Sequence, residues 1–320
     1  MSKTRVGVLR GGTGGEYDVS LKTGARVMEN LPWSSYLPYD IFIDRKGEWH
    51  FQGLPKSPEE IAGLVDVVWN GLHGAYGEGG GVQEVLEIHK IPYTGSSPES
   101  ASMTIDKMLA KGLVKKYGIR VPYHQVITRE EYLNTNSYEL FRRILMPVII
   151  KPIRGSFSLG TSFAQNAAEL WEGVGEALEH SDVVLLEQYV RGREVVSGVL
   201  EGFRDHSLYP LIPVEIKKSK EFVSYEERIG GTQDTVCPAR LSREESEAIR
   251  NAVIGIHKSL GLRHYTTADF IVSPKGIYFL EIDSLPSLAE GSSLSQSLKA
   301  SGATLPQFLD HVIKLALDGK

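Results

Sequence analysis

Three carboxylates toward the C-terminal end are spaced for chemistry. Asp269 precedes the apolar run Phe270-Ile271-Val272, and Glu281 and Asp283 close the next run, with Ser273-Pro274-Lys275-Gly276 as the turn between. Residues two apart on a strand face the same side, so Glu281 and Asp283 project together, with Leu280 and Ile282 on the other face, and a hairpin brings Asp269 beside them. Like charges held that close repel unless a cation lies between them. Hard oxygen ligands of this kind suit Mg²⁺, which takes one or two carboxylates and completes its shell with water and substrate phosphates. A solvated strand edge would show the same spacing, and spacing alone leaves both readings open.

Lys151 ends an apolar strand and is followed by Pro152, while Lys107 lies in a helix. A lysine closing a buried strand needs an anion, and phosphate would serve. Glu187 ends Val184-Leu185-Leu186 in the same way, with Gln188, Tyr189 and Val190 after it. A carboxylate there can take an adenine amino group or a ribose hydroxyl, or simply cap a turn. His73 follows a strand and sits among glycines, where a ligand could come close or the ring could be structural. No second His stands at metal-ligand spacing and no Ser/His/Asp order is present, so nucleophilic hydrolysis has no support. Gly11-Gly12-Thr13-Gly14-Gly15 follows the first strand but does not place its glycines as G-x-G-x-x-G, and no G-x-x-x-x-G-K-[ST] motif occurs. Any nucleotide is held some other way.

These residues need elements to position them. Thr4 to Leu9 reads as a strand entering a glycine turn, followed by a helix with Val19, Leu21, Ala25 and Met28, capped by Asp18 or Ser20. Leu37 to Ile43, Val65 to Trp69 and Ile91 to Gly95 read as further strands, with a helix carrying Val82, Val85 and Leu86 between the last two. Strands alternating with helices indicate a parallel α/β sheet in the first hundred residues. One helix is expected from Ser100 to Tyr117. Beyond it come the strand Pro147 to Lys151, a Gly/Ser-rich stretch from Arg154 to Ser162, a helix from Ala167 to Leu178 and the strand Val183 to Glu187. Glu194 to Leu200 and Leu208 to Val214 alternate as antiparallel strands, and Leu305 to Leu317 is the last helix.

At 320 residues, with 41% apolar and 23% charged residues, the chain can bury a sizeable core, which excludes disorder and coiled coil. A net charge of −5 offers no overall positive field for nucleic acid or an anionic membrane. The single cysteine, Cys237, excludes a disulfide framework and a Cys-rich zinc site. No apolar run approaches the roughly 18 residues of a membrane span, and the N-terminus lacks a signal-peptide core. A cytoplasmic protein is expected.

Taken together the chain resembles the ATP-grasp family, and within it the D-alanine–D-alanine ligases. The resemblance is carried by Leu9-Arg10-Gly11-Gly12-Thr13 with Glu16 and Val19-Ser20; Leu72-His73-Gly74 with Gly77-Glu78 and Gly80; Ile91 to Ser96; Asp106-Lys107; Lys151-Pro152; Glu187 to Val190 with Gly192 and Glu194; Cys237-Pro238-Ala239; and Asp269 with Glu281 and Asp283. It implies an α/β chain, α+β in its C-terminal half. A Rossmann-like substrate lobe would span 1–100, a central ATP-grasp lobe 101–190 and a C-terminal ATP-grasp lobe 191–320, with ATP gripped between the last two.

The resemblance further implies that Lys107 and Lys151 touch ATP phosphates, that Glu187, Gln188 and Val190 hold adenine, and that Glu194 holds the ribose. Asp269, Glu281 and Asp283 would bind two Mg²⁺ ions, with Mn²⁺ as a substitute. Glu16 would bind the ammonium of the first amino acid, His73 would lie close to its carboxylate, and Ser293 would contact the second carboxylate. Catalytic roles fall to Glu16, Ser156 and Thr267. The implied reaction makes D-alanyl-D-alanine through an acyl phosphate, for peptidoglycan precursors, in a homodimer whose other partners are small molecules. Departures gather on the substrate side. Thr267 stands where the family has an oxyanion-stabilising Arg, with Arg263 and His264 near enough in sequence to replace it. Phe157 interrupts Gly-Ser-Ser, Ile229 with Arg228 replaces the Tyr and preceding Lys of a mobile loop, and Asp283 replaces Asn. A ligase for another amino or hydroxy acid, or a weak ATP-binding paralogue, remains open beside the D-alanine reading.

Overall fold

The computed structural model describes residues 3–116, 118–218, 221–225, 227 and 234–319. Among them the chain forms three sheets in succession. The first is β4-β3-β2-β1-β5, built from β1 (Thr4–Gly11), β2 (Tyr36–Ile43), β3 (Trp49–Phe51), β4 (Leu54–Pro55) and β5 (Val67–Asn70). β1 runs parallel to both β2 and β5, whereas β3 and β4 add an antiparallel edge. Val6, Val8 and Leu9 are fully buried on β1, as expected of a strand covered on both faces.

The second sheet is antiparallel, in the order β6-β9-β7-β8, from β6 (His124–Thr128), β7 (Val148–Pro152), β8 (Ser162–Ala164) and β9 (Val183–Gln188). The third is also antiparallel. It contains β10 (Arg193–Glu201), β11 (Leu208–Pro210), β12 (Val214–Lys217), β13 (Asp234–Val236), β14 (Tyr265–Ser273) and β15 (Gly276–Asp283), with β10 and β14 at its centre. The helix Leu305–Leu317 returns to the first sheet, where Phe308 and Val312 share a core with Val6, Val8 and Trp69.

Several elements differ from the sequence reading in ways that shape the site. The first helix, Tyr17–Asn30, has Glu16 at its N-cap position instead of Asp18 or Ser20, and no side chain caps it. Ile91 to Gly95 makes one bridge, Val68 to Tyr93, not a strand. The single helix expected from Ser100 to Tyr117 is two, Pro98–Ile105 and Lys107–Lys116, broken at Asp106, whose ψ of 101° is extended. The Lys107 amide donates to Ile153 O at 3.1 Å instead of continuing the first helix, and Asp106 Oδ1 accepts from Leu109 N at 3.0 Å as a local cap. The break is thus made by a strand-end carbonyl from another part of the chain.

Candidate active site

Two cavities lie side by side where the sheets meet. The first, with about 710 Å³ of open space, is lined by Lys107, Lys151, Glu187, Gln188, Val190 and Glu194, the six residues the resemblance assigns to ATP. The second, with about 930 Å³, is lined by Ser156, Phe157, Thr267, Asp269, Asp283 and Ser293 among others. Both linings mix apolar side chains with a few convergent charged and polar groups, as small-molecule sites do. Lys107, Gly155, Ser156 and Glu281 line both, so the cavities meet at an ammonium, a carboxylate and a glycine-serine turn.

On the first side, Glu187 is almost wholly buried and its two oxygens face two lysines: Lys111 Nζ at 2.7 Å and Lys151 Nζ at 3.0 Å. Burial alone would push this carboxyl up, but the two ammonium groups hold it below its ordinary value. Glu194 pairs with Lys218 at 3.4 Å, and both line the cavity. Lys107 donates from Nζ to Gly155 O at 2.6 Å, and burial lowers its pKa. Lys111 is a residue that the sequence reading missed. It lies one turn after Lys107 on the same helix face, a spacing that signals proximity but not which lysine faces a ligand.

Where the cavities meet, β14 and β15 set the carboxylates in register: Asp269 opposite Glu281, and Thr267 opposite Asp283. The register then shifts between Asp269 and Phe270, which pairs with Phe279, so Leu280 is left in a β-bulge. In place of the opposite-face position expected from alternation, Leu280 lines the first cavity beside Glu281. Asp269, Glu281 and Asp283 do not form a preformed cage: among the described residues no three His, Cys, Asp or Glu side chains are grouped to hold a metal. The donor chemistry nevertheless fits Mg²⁺, which needs only one or two carboxylates when phosphates supply further oxygens. The Asp269–Glu281 pair offers two, both lining the second cavity beside Lys107.

Glu16 and His73, which the resemblance assigns to the first amino acid, are both buried. They stand behind the second cavity's wall, reached through Ser156 and Phe157. Ser156 donates to Glu16 Oε1 at 3.4 Å, so a serine reaches this glutamate despite the inserted aromatic. The Phe157 ring stands edge-on to His73, centroids 5.1 Å apart, on a backbone with φ of 56°. His73 Nε2 lies 2.8 Å from Thr23 Oγ1, and Nδ1 lies 3.3 Å from Glu78 Oε1. Gly74 lets this happen: its φ is 77°, and a Cβ there would sit 2.2 Å from Glu16 Oε2. Burial lowers the His73 pKa to about 4, so the ring is neutral at pH 7, and burial pushes Glu78 up to about 8. Asp283 is raised to about 7, by burial first and by the Glu78 charge second. Sequence reading gave Glu78 no role, because nothing local signals that its side chain turns back on His73.

Part of the second cavity's wall is formed by the loop after β15 and the start of the helix Ser293–Ala300, where the Ser292 hydroxyl caps Ser295 N. Ser293 is the first residue of that helix, beside amides that favour an anion. Neither Arg263 nor His264 replaces the missing arginine. β14 begins at Tyr265, Arg263 donates to the Tyr93 hydroxyl at 3.0 Å, and His264 Nδ1 accepts from Gly95 N at 2.9 Å. Among the described residues lining the second cavity, Lys107 is the one cation. The loop position expected at Ile229, with Arg228, lies outside the described residues. Just before it, the Tyr225 hydroxyl donates to Gly15 O at 3.2 Å, bridging to the first lobe.

A cavity between two antiparallel sheets, edged by lysines and strand carboxylates and opening into a second cavity under a parallel-sheet lobe, defines an ATP-grasp enzyme. Residues 113–314 match the family model described as D-ala D-ala ligase C-terminus. The chain belongs to the D-alanine–D-alanine ligase family. It is 31% identical to a D-alanine–D-alanine ligase of Desulforamulus reducens, over 98% of this chain and 99% of that one. Among solved structures it is similar to the VanG D-Ala:D-Ser ligase of Enterococcus faecalis, with a TM-score of 0.84, 28% identity and coverage of 98% and 100%. The ATP-complexed D-alanine–D-alanine ligase of Bacillus anthracis gives 0.80, 27%, 99% and 98%.

Proposed function

We propose that the protein joins two D-alanine molecules at the expense of ATP, in the cytoplasm, to supply peptidoglycan precursors. The observation that carries this reading is the junction of the two cavities at Lys107, Gly155, Ser156 and Glu281, which lets a phosphoryl group pass between ligands held on either side. Gln188 and Val190 hold adenine and Glu194 the ribose, while Lys107 and Lys151 hold the phosphates. Glu187, with both oxygens turned to lysines, serves the phosphate side more than the base. Asp269, Glu281 and Asp283 would hold Mg²⁺ or Mn²⁺, which neutralises phosphate charge when bound.

Glu16, held by Ser156, takes the donor's ammonium, and neutral His73, its ring nitrogens turned to Thr23 and Glu78, lies close to the donor's carboxylate. A carboxylate oxygen attacks the γ-phosphorus and ADP leaves. The acceptor's amine, having lost a proton from its ammonium form, then attacks the acyl carbon, and inorganic phosphate departs with that oxygen. Ser293 and its helix N-terminus orient the acceptor's carboxylate. Thr267 offers the tetrahedral intermediate a neutral hydroxyl where a cation is expected. That substitution, with Lys107 as the one cation among the described lining residues, favours a second reading in which the acceptor is another amino or hydroxy acid. The family resemblance also supports a homodimer. Phosphate release from ATP with Mg²⁺ should rise on adding D-alanine, with a dipeptide seen by mass spectrometry. A different acceptor giving the product selects the second reading, and no turnover across a panel of D- and L-amino acids defeats both.

A further inference from the structure

Lys111 is the most deeply buried cation near the site, with no exposed surface, yet it lines neither cavity. A buried ammonium is costly unless paired, and Lys111 shares its carboxylate: Glu187 holds Lys111 at 2.7 Å through one oxygen and Lys151 at 3.0 Å through the other. One lysine would suffice to neutralise Glu187. Lys111 Nζ also donates to the carbonyl of Leu280, the residue set aside by the β15 bulge. Its ammonium therefore ties its own helix to β9 in the second sheet and β15 in the third, the two sheets that enclose the first cavity.

From this arrangement we infer that Lys111 is a positioning residue for the polyphosphate: by taking half of Glu187, it keeps Lys151 from being fully neutralised and presents that ammonium to the nucleotide's phosphates. The inference rests on the nucleotide reading above. Glu281 acts on Lys107, Lys111 and Lys151, and Glu194 on Lys151, but both carboxylates line the first cavity and so meet Lys151 from the side where phosphates would lie, whereas Lys111 meets Glu187 from behind the wall. Without the Lys111 charge, Glu187 and Lys151 form a one-to-one buried pair, which the fold tolerates but which meets phosphate less strongly.

The test compares adenosine, ADP and ATP binding to the full chain and to Lys111→Met, by competition against a fluorescent ATP analogue, with thermal midpoints as the folding control. ATP and ADP should bind about tenfold or more weakly to the variant, as expected when the Lys151 ammonium is more fully neutralised by Glu187 and its charge-assisted contact with phosphate weakens, with adenosine within about twofold of wild type. Lys111→Gln, which keeps a donor but no charge, should show the same phosphate-dependent loss. Equal losses for adenosine and ATP, or ATP binding unchanged, overturn the inference, as does failure of both variants to fold. A wild-type chain that binds no adenine nucleotide instead defeats the nucleotide reading itself.

Discussion

Glu78 and Asp283 keep protons that carboxyls in water give up. Their pKa values rise from ordinary values of 4.5 and 3.8 to about 8 and about 7, so between those limits the folded chain binds more protons than the unfolded one. Stability is then lost as pH rises through about 8. His73 acts in the opposite direction, with a pKa lowered from 6.5 to about 4, so its contribution is lost as pH falls below 6.5. From pH 6.5 to 8 the carboxyls therefore dominate this trio, and the ligand-free thermal midpoint of Glu78→Gln should decline less across that window than that of wild type. Parallel declines would contradict the assignment. Phe157 sits against His73, beside the place that the proposed function gives the donor. Phe157→Ser should widen donor use toward larger D-amino acids, read as relative kcat/KM across a donor panel, while KM for ATP stays within about twofold.

At the scale of elements, several strands were legible, because apolar runs such as Val183 to Glu187 and the Phe270–Val272 and Ile277–Ile282 pair carry their own pattern and turns, whereas Ile91 to Gly95 forms only a bridge and Leu208 to Val214 divides into the strands Leu208–Pro210 and Val214–Lys217. The breaks were not. Nothing local in Ser100 to Tyr117 announces a stop at Asp106, since the stop depends on Ile153 O, 47 residues away, taking the Lys107 amide. The Leu280 bulge is equally silent, and with it the acceptor that Lys111 uses. Carboxylate spacing did show that Glu281 and Asp283 share a neighbourhood with Asp269, whereas the orientation of Arg263 toward Tyr93 followed from where β14 begins. The turn after β5 makes its own prediction. Gly74→Ala would place a Cβ against Glu16 at a φ only glycine adopts readily, so KM for the donor should rise about tenfold or more with ATP affinity retained. An unchanged donor KM would show that Glu16 is not held by this turn.

Across the whole molecule, the lobes are coupled by the chain's return. The helix Leu305–Leu317 packs Phe308 edge-on to Trp69 at 6.0 Å and to Tyr265 at 5.1 Å, and Asp310 accepts from the Tyr36 hydroxyl at 2.8 Å. One core therefore spans the first sheet and the third. Phe308→Ala should cost about 3–5 kcal/mol in denaturant unfolding, and tryptophan fluorescence, to which Trp33, Trp49 and Trp69 of the first lobe contribute, should report the same midpoint as far-UV circular dichroism. A first-sheet signal that melts separately from the rest would contradict that coupling. The central claim, that one reaction crosses both cavities, is tested most directly by isotope transfer. With D-alanine labelled by ¹⁸O in its carboxylate, ATP and Mg²⁺, the account predicts a dipeptide together with inorganic phosphate carrying one ¹⁸O from the donor. Dipeptide formed with unlabelled phosphate, or phosphate released without any amino-acid dependence, would contradict it.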